Sequence, residues 1–285
     1  MNPLSNEPVW LGIDLGTQSV RVVALSATGQ VAGSGTAKLT SRREGGRHEQ
    51  NPEEWWSAVA SAARATVAGI SPALIRGLAV DGTSGTVLLT DRAGHALTQA
   101  LMYDDSRAAG EVQLVNRIGE RTWTTFGYNR MQASWGLPKL LWLLRAHPEL
   151  ISAQTLLTHQ ADFINGKLVG HPVSTDTSNA LKTGCNLVDE EWPLDVFAAL
   201  DIPPSLLPPL TRSGTSLGIV GAAAAALTGI PAGTPVFAGM TDGCAAQIGA
   251  GALTPGSWNS VLGTTLVLKG VTPVLIKDPN GVVYS

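Results

Sequence analysis

The stretch Val9–Val23, VWLGIDLGTQSVRVV, decides the fold of this chain. Residues 9–15 and 20–25 are dense in Val, Leu and Ile and predict two strands, and Gly16 gives the freedom that a sharp reversal needs. The expected product is a β-hairpin with one carboxylate, Asp14, just before a tip of Gly16, Thr17, Gln18 and Ser19. Backbone N–H groups and the Thr17, Gln18 and Ser19 side chains at such a tip could hold phosphate oxygens, and Asp14 could orient Mg²⁺ or align an anionic group. Taken alone, the Asp-x-Gly-Thr pattern is better explained as an ordinary hairpin with a capping acid, so the decision rests on the remainder of the chain.

Moving outward, the apolar segment 31–39 follows the turn Thr28-Gly29-Gln30 and predicts a third antiparallel strand. Asn51-Pro52-Glu53-Glu54 combines an N-cap residue, Pro in the first turn and two acids that suit the helix dipole, which predicts a helix ending at Gly69. A strand is expected over 75–81, a break over Gly82–Gly85, and a resumed strand over 86–90 with a turn at Asp91–Gly94. Residues 105–170 read as mainly helical, with Trp135 and Trp142 as core packing. The Ala- and Gly-rich stretch after Pro203–Pro209 predicts a helix and turn leading into a strand, and VFAGMTDGCAAQIGAGAL predicts a strand, a loop and a short helix. SWNSVLGTTLVLKGV and VLIKDPNGVVYS read as strands, with no helix after them to cover a sheet.

Composition narrows the classes of function. The 285 residues suffice for two domains, or one and a part. A hydrophobic content of 44% with 14% charged residues supplies ample core and argues against disorder. The formal net charge of -3, with no basic stretch interleaved with aromatics, makes nucleic acid a poor partner and favours small molecules. MNPLSNEP lacks the pattern of a signal peptide and no segment has the apolar length of a membrane span, so a cytoplasmic location is expected. Cys185 and Cys244 read as small buried residues, and His48, His95, His147, His159 and His171 have no ligand spacing, so no structural metal is expected.

A second site decides the question left by the first. Asp242 sits in a Gly-rich loop before the apolar helix CAAQIGAGA, where, as an N-cap, its carboxylate would be held ionised by free N–H groups. Gly263-Thr264-Thr265 then repeats the Gly-Thr-hydroxyl chemistry of the first hairpin between two further β segments. Two such hairpins point to related half-folds closing on one phosphate.

The ordered set GIDLGTQSVRVV, NPEEWW, VDGTSGTVLLTDRAGHAL, MYDDSRA, STDTSNALKTG, GIPAGTPVFAGMTDGCAAQIGAG and SVLGTT resembles the FGGY carbohydrate kinases of the actin-like ATPase superfamily, over residues 9 to about 268. The resemblance implies an α/β, ribonuclease H-like fold, with an N-terminal sugar-binding domain over 8–238 and the start of a nucleotide-binding domain over 239–285. Members continue well past the position of Ser285, so that second domain is expected to be incomplete here. The resemblance implies Asp242 as general base, and Asp14 beside the transferring phosphate and the sugar, with a place for the Mg²⁺ that arrives with ATP. It implies Thr17, Gly263 and Thr264 on the nucleotide phosphates, and Gln18 on the phosphate side where the sugar reacts.

In this resemblance, xylulokinase-like members carry a Met-His pair after the fourth strand and glycerol kinases an Arg-Glu pair; the matching Asp81-Gly82-Thr83-Ser84-Gly85 has neither. It is most similar to the D-ribulokinase branch, which implies Ser84 as a sugar contact and ATP-dependent phosphorylation of D-ribulose at its 5-hydroxyl. Xylulose or another sugar or polyol is the alternative within the family, and a non-catalytic sugar-binding module the alternative outside enzymes. Asp104 and Asp105 face either the sugar or solvent at a helix start.

Overall fold

The computed structural model describes residues 7–128, 130–262, 266–278, 280, 283 and 284. The opening residues form β1 (Val9–Leu15), β2 (Ser19–Ser26) and β3 (Val31–Lys38). Val9, Leu11, Ile13 and Leu15 of β1 and Val20, Val22 and Ala24 of β2 are buried, as period-2 alternation requires of strands with one face on a core. A small hairpin of β4 (Arg42–Glu44) and β5 (Arg47–Gln50) comes next. It was not expected from its polar sequence. Helix α1 (Pro52–Val67) starts as the sequence predicts, with the Asn51 side chain accepting the Glu53 N–H at 3.0 Å. Trp55, Val59 and Ala63 on its inner face are fully buried.

Strand β6 (Ile75–Gly82) leads through 83–86 to β7 (Val87–Asp91) and β8 (Ala100–Leu101). Helices α2 (Val112–Phe126) and α3 (Gly136–Ala146) are followed by β9 (Thr155–His159) and α4 (Gln160–Val169). The expectation of a mainly helical 105–170 therefore misses one strand. Thr155, Leu156, Leu157 and His159 are all buried, and a run of five residues buried on both faces carries no helical period. Trp135 is buried as expected, whereas Trp142 is half-buried beneath the Arg107 guanidinium, 5.0 Å from its ring centroid.

The next elements are β10 (Thr175–Asp176), α5 (Thr177–Ala180), α6 (Leu194–Ala199), β11 (Leu210–Thr211), β12 (Ser216–Ile219), α7 (Ala222–Thr228) and β13 (Pro235–Phe237). Helix α8 (Asp242–Gly249) and the antiparallel pair β14 (Trp258–Leu262) and β15 (Leu266–Gly270) follow. The predicted strand in the last segment is reduced to an antiparallel bridge between Lys277 and Tyr284 among the described residues.

Two sheets organise these elements. The larger runs β12-β13-β6-β1-β2-β3, with β1 at its centre, antiparallel to β2 and parallel to β6. The smaller runs β4-β5-β8-β7-β9 and is antiparallel throughout. One apolar core packs α1, α4 and α7 on the larger sheet, and a second joins α2, α3 and α6 to the smaller one. The strand that was expected to resume after Gly82–Gly85 instead enters the other sheet. That loop is the crossing between the sheets.

Candidate active site

The site forms where β1, β6 and the segment entering α8 end together. In the parallel register Asp14 is opposite Asp81 and Leu15 opposite Gly82, while Gly82 bridges in parallel to Thr241, the residue before Asp242. A Cβ on Gly239 would lie 2.0 Å from the Val80 carbonyl oxygen, so only glycine lets this segment run so close to β6. The Thr241 N–H donates to Ser178 Oγ at 2.9 Å, and Ser178 is held in turn by Asp176, which caps α5.

Three carboxylates meet as a result. Asp14 and Asp81 share a side-chain hydrogen bond, and the Asp242 charge raises the pKa of both. Burial is the largest cause of the upward shift at Asp14, opposed by Arg21, whose Nη1 lies 3.8 Å from Asp14 Oδ2 across the hairpin. Asp81 is pushed up to about 7, first by burial and then by the charges of Asp14 and Asp242. One of its oxygens, Oδ1, is buried without a hydrogen-bond partner. Asp81 belongs to the predicted strand 75–81 and is assigned no role from the sequence. Its signal was an acid closing an apolar run, as in Ile13-Asp14.

The other predicted residues take distinct positions. Gly16 meets a spatial demand and not a left-handed one: its N–H donates to the Ser19 carbonyl at 3.2 Å, and a Cβ would approach that oxygen to 3.1 Å. The Thr17 carbonyl accepts from Gln50 Nε2 at 2.6 Å, and the Gln18 carbonyl from the Leu39 N–H at 2.9 Å, so the tip is anchored by its carbonyls. The Gln18 side chain is exposed and Thr17 half-buried. Asp242 is the first residue of α8 and not its cap, because the extended backbone of a cap belongs to Thr241. Its exposed carboxylate accepts the Gly243 N–H at 2.6 Å. Gly263, Thr264 and Thr265 lie outside the described residues, although the flanking β14 and β15 do pair as a hairpin.

In the crossing loop, Thr83 is held by Gln160, whose Oε1 accepts from Thr83 N–H at 2.8 Å and Thr83 Oγ1 at 2.7 Å. Ser84 is half-buried beside it. Asp104 and Asp105 do not form a solvated helix start. Asp104 pairs with Arg43 at 3.0 Å and with His48, and fully buried Asp105 pairs with Arg107 at 2.7 Å and accepts the His48 N–H at 2.7 Å. His48 and His159 are buried in hydrogen-bond networks, and Cys185 is buried, but Cys244 is only half-buried. Among the described residues no helix is long and apolar enough to cross a membrane.

Among the described residues, no group of three or more His, Cys, Asp or Glu side chains is arranged to hold a metal on its own. Mg²⁺ ordinarily takes one or two carboxylates together with phosphate oxygens and water. The half-exposed Asp14 carboxylate fits that requirement.

Residues 9–249 match the FGGY family of carbohydrate kinases, N-terminal domain. The chain belongs to this family. It is 27% identical over 279 residues to a xylulose kinase of Bacillus subtilis, covering 96% of this chain and 56% of that protein. An autoinducer-2 kinase of Yersinia enterocolitica is 30% identical over 280 residues, covering 95% and 52%. The crystal structure of the xylulose kinase from Rhodospirillum rubrum superposes with a TM-score of 0.86 at 27% identity, covering 94% of this chain and 56% of that one. The chain thus spans a little over half the length of these relatives, and has the actin-like fold of FGGY sugar kinases over that span.

Proposed function

We propose that this site serves ATP-dependent phosphorylation of a pentulose, with D-ribulose as the acceptor at its 5-hydroxyl. The observation that carries the reading is the convergence of Asp14, Asp81 and Asp242 beside the Ser84 loop, in a chain of the FGGY family. Phosphoryl transfer to an alcohol needs positioning, a proton acceptor and charge stabilisation more than covalent chemistry. ATP would supply the phosphoryl group, and Mg²⁺ would neutralise charge on its oxygens.

The chain's own residues take the remaining parts. The exposed Asp242 carboxylate keeps lone pairs free beyond its bond to Gly243 and accepts the hydroxyl proton as the new P–O bond forms. Asp14 helps hold the metal and aligns the reacting oxygen. Thr17, Gly263 and Thr264 contact the phosphates, Gln18 lies on the phosphate side, and Ser84 contacts the sugar. The unit boundary is assigned at 238/239, with the sugar side before it and the nucleotide side after it.

The departure of Gly82-Thr83-Ser84-Gly85 from the xylulokinase-like Met-His pattern supports ribulose. The xylulose kinase relatives favour D-xylulose as the second reading. A coupled assay of ADP release over a pentulose and polyol panel separates them: turnover highest with D-ribulose is expected, and turnover highest with D-xylulose replaces that assignment. Calorimetric binding of a pentulose with neither nucleotide binding nor turnover would make this chain a sugar-binding module.

A further inference from the structure

Two lysines grip the crossing loop from beneath. Lys139, in the apolar helix α3, is fully buried, and its ammonium donates to the Gly85 carbonyl at 2.9 Å and the Met102 carbonyl at 2.5 Å. Lys182, in the turn Leu181–Thr183, donates to the Ser84 carbonyl at 3.2 Å. The two arms are braced together, since a Cβ on Gly136 at the start of α3 would lie 2.3 Å from Thr183 Oγ1. The loop also lies against the Lys182 stem: a Cβ on Gly85 would meet Lys182 Cδ at 3.1 Å, and Gly85 itself is left-handed at φ +88°.

Burying an ammonium costs free energy that a carboxylate partner usually offsets, yet the hydrogen bonds of Lys139 go to backbone carbonyls. Burial lowers the Lys139 pKa to about 7, against the opposing charge of Asp105, and its bond to Gly85 together with that of Lys182 to Ser84 fixes two successive peptide groups, 84–85 and 85–86. Lys182 also feels Asp242, whose charge offsets part of the effect of its burial. One cation therefore touches the loop and lies within the field of the proposed base. Met102 extends the tie to the segment entering Asp104 and Asp105, because its carbonyl also accepts the Asp105 N–H at 2.9 Å.

We propose that Lys139 and Lys182 are positioning residues that clamp the Ser84–Gly85 backbone, so that Ser84 is presented to the sugar in register with Asp242. This rests on the reading of Ser84 as a sugar contact. Their role is carried through the loop, with no contact to the reacting atoms.

The test uses amide hydrogen exchange over residues 80–90 together with calorimetric titration of the pentulose that the unmodified chain binds. Lys182→Met and Lys139→Met are expected to speed exchange at 82–86 and to weaken sugar binding roughly tenfold or more. Lys182→Arg, which keeps a charged donor, is expected to recover most of both losses, which mere loosening of the fold would not give. Ser84→Ala separates the two ideas. If Ser84→Ala weakens binding while Lys182→Met changes neither exchange nor affinity, the clamp is wrong and the sugar reading stands. If Ser84→Ala leaves affinity unchanged, the loop has no sugar role and the proposal falls with that reading.

Discussion

Asp14 and Asp81 are register partners on adjacent parallel strands, and their carboxyl groups share a hydrogen bond that two full negative charges could not sustain. The pair therefore titrates as a unit, with a proton held on the Asp81 side up to about pH 7. In the unfolded chain Asp81 loses that proton near its ordinary value of 3.8. Between those values the folded state binds the extra proton, so this contribution to stability is complete below pH 4 and lost as pH rises through 7. Asp81→Asn should flatten that slope. The variant is expected to melt higher than the parent at pH 8, by on the order of a few kcal/mol of stability at most, and near the parent at pH 4. Thermal denaturation across pH 4–8 checks this, and parallel curves would overturn it.

Asp242→Ala is expected to lower turnover in the ADP-release assay by roughly 10² to 10⁴, the usual worth of a positioned base. Sugar affinity should change far less, because the proton transfer belongs to the transition state. Unchanged turnover would remove Asp242 from the chemistry.

Gln50 joins the hairpin tip to the start of α1. It is almost fully buried, donates to the Thr17 carbonyl at 2.6 Å and to Ser41 Oγ at 2.8 Å, and accepts from Trp55 Nε1 at 2.6 Å. Gln50→Leu leaves the Trp55 indole N–H and the Thr17 carbonyl without these partners. A loss of about 1–3 kcal/mol in urea unfolding is expected, and a loss near zero would show that water replaces the bonds.

Gly239→Ala forces a methyl group against the Val80 carbonyl, at 2.0 Å in the undisturbed geometry. Overpacking of this kind costs about 1–3 kcal/mol, and here it also pushes the segment before Asp242 away from β6. Gly12→Ala is the contrast, because a Cβ at Gly12 meets nothing within 4 Å. Equal urea midpoints for the two variants would refute the close approach as the reason for Gly239.

The first hairpin and α1 were legible because their signals are local: alternating Val, Leu and Ile in one case, Asn51 and Pro52 in the other. β4 and β5 were not, since Arg47-His48-Glu49-Gln50 buries its alternate residues, His48 and Gln50, through hydrogen bonds with distant partners rather than through apolar contact. Asp14 and Asp242 could be singled out from the chain itself. Asp81 could not be joined to them without knowing that β6 lies parallel to β1, a fact of topology spread over more than sixty residues. Lys139 left a different trace, a single cation inside Leu137-Pro138-Lys139-Leu140-Leu141, where an apolar face has no room for an unpartnered charge.

The crossing loop at Gly82–Gly85 joins the two sheets, while Asp14 and Asp81 sit at strand ends that one sheet alone keeps in register. If Ser84 contacts the sugar and the acids serve transfer, as proposed, choice of acceptor and capacity for transfer are written in separate pieces of backbone. On the proposed reading, a substitution at Ser84 can change the acceptor while the pairing of β1 with β6, which ends at Gly82, stays intact, so a lineage built on this scaffold can change diet one residue at a time.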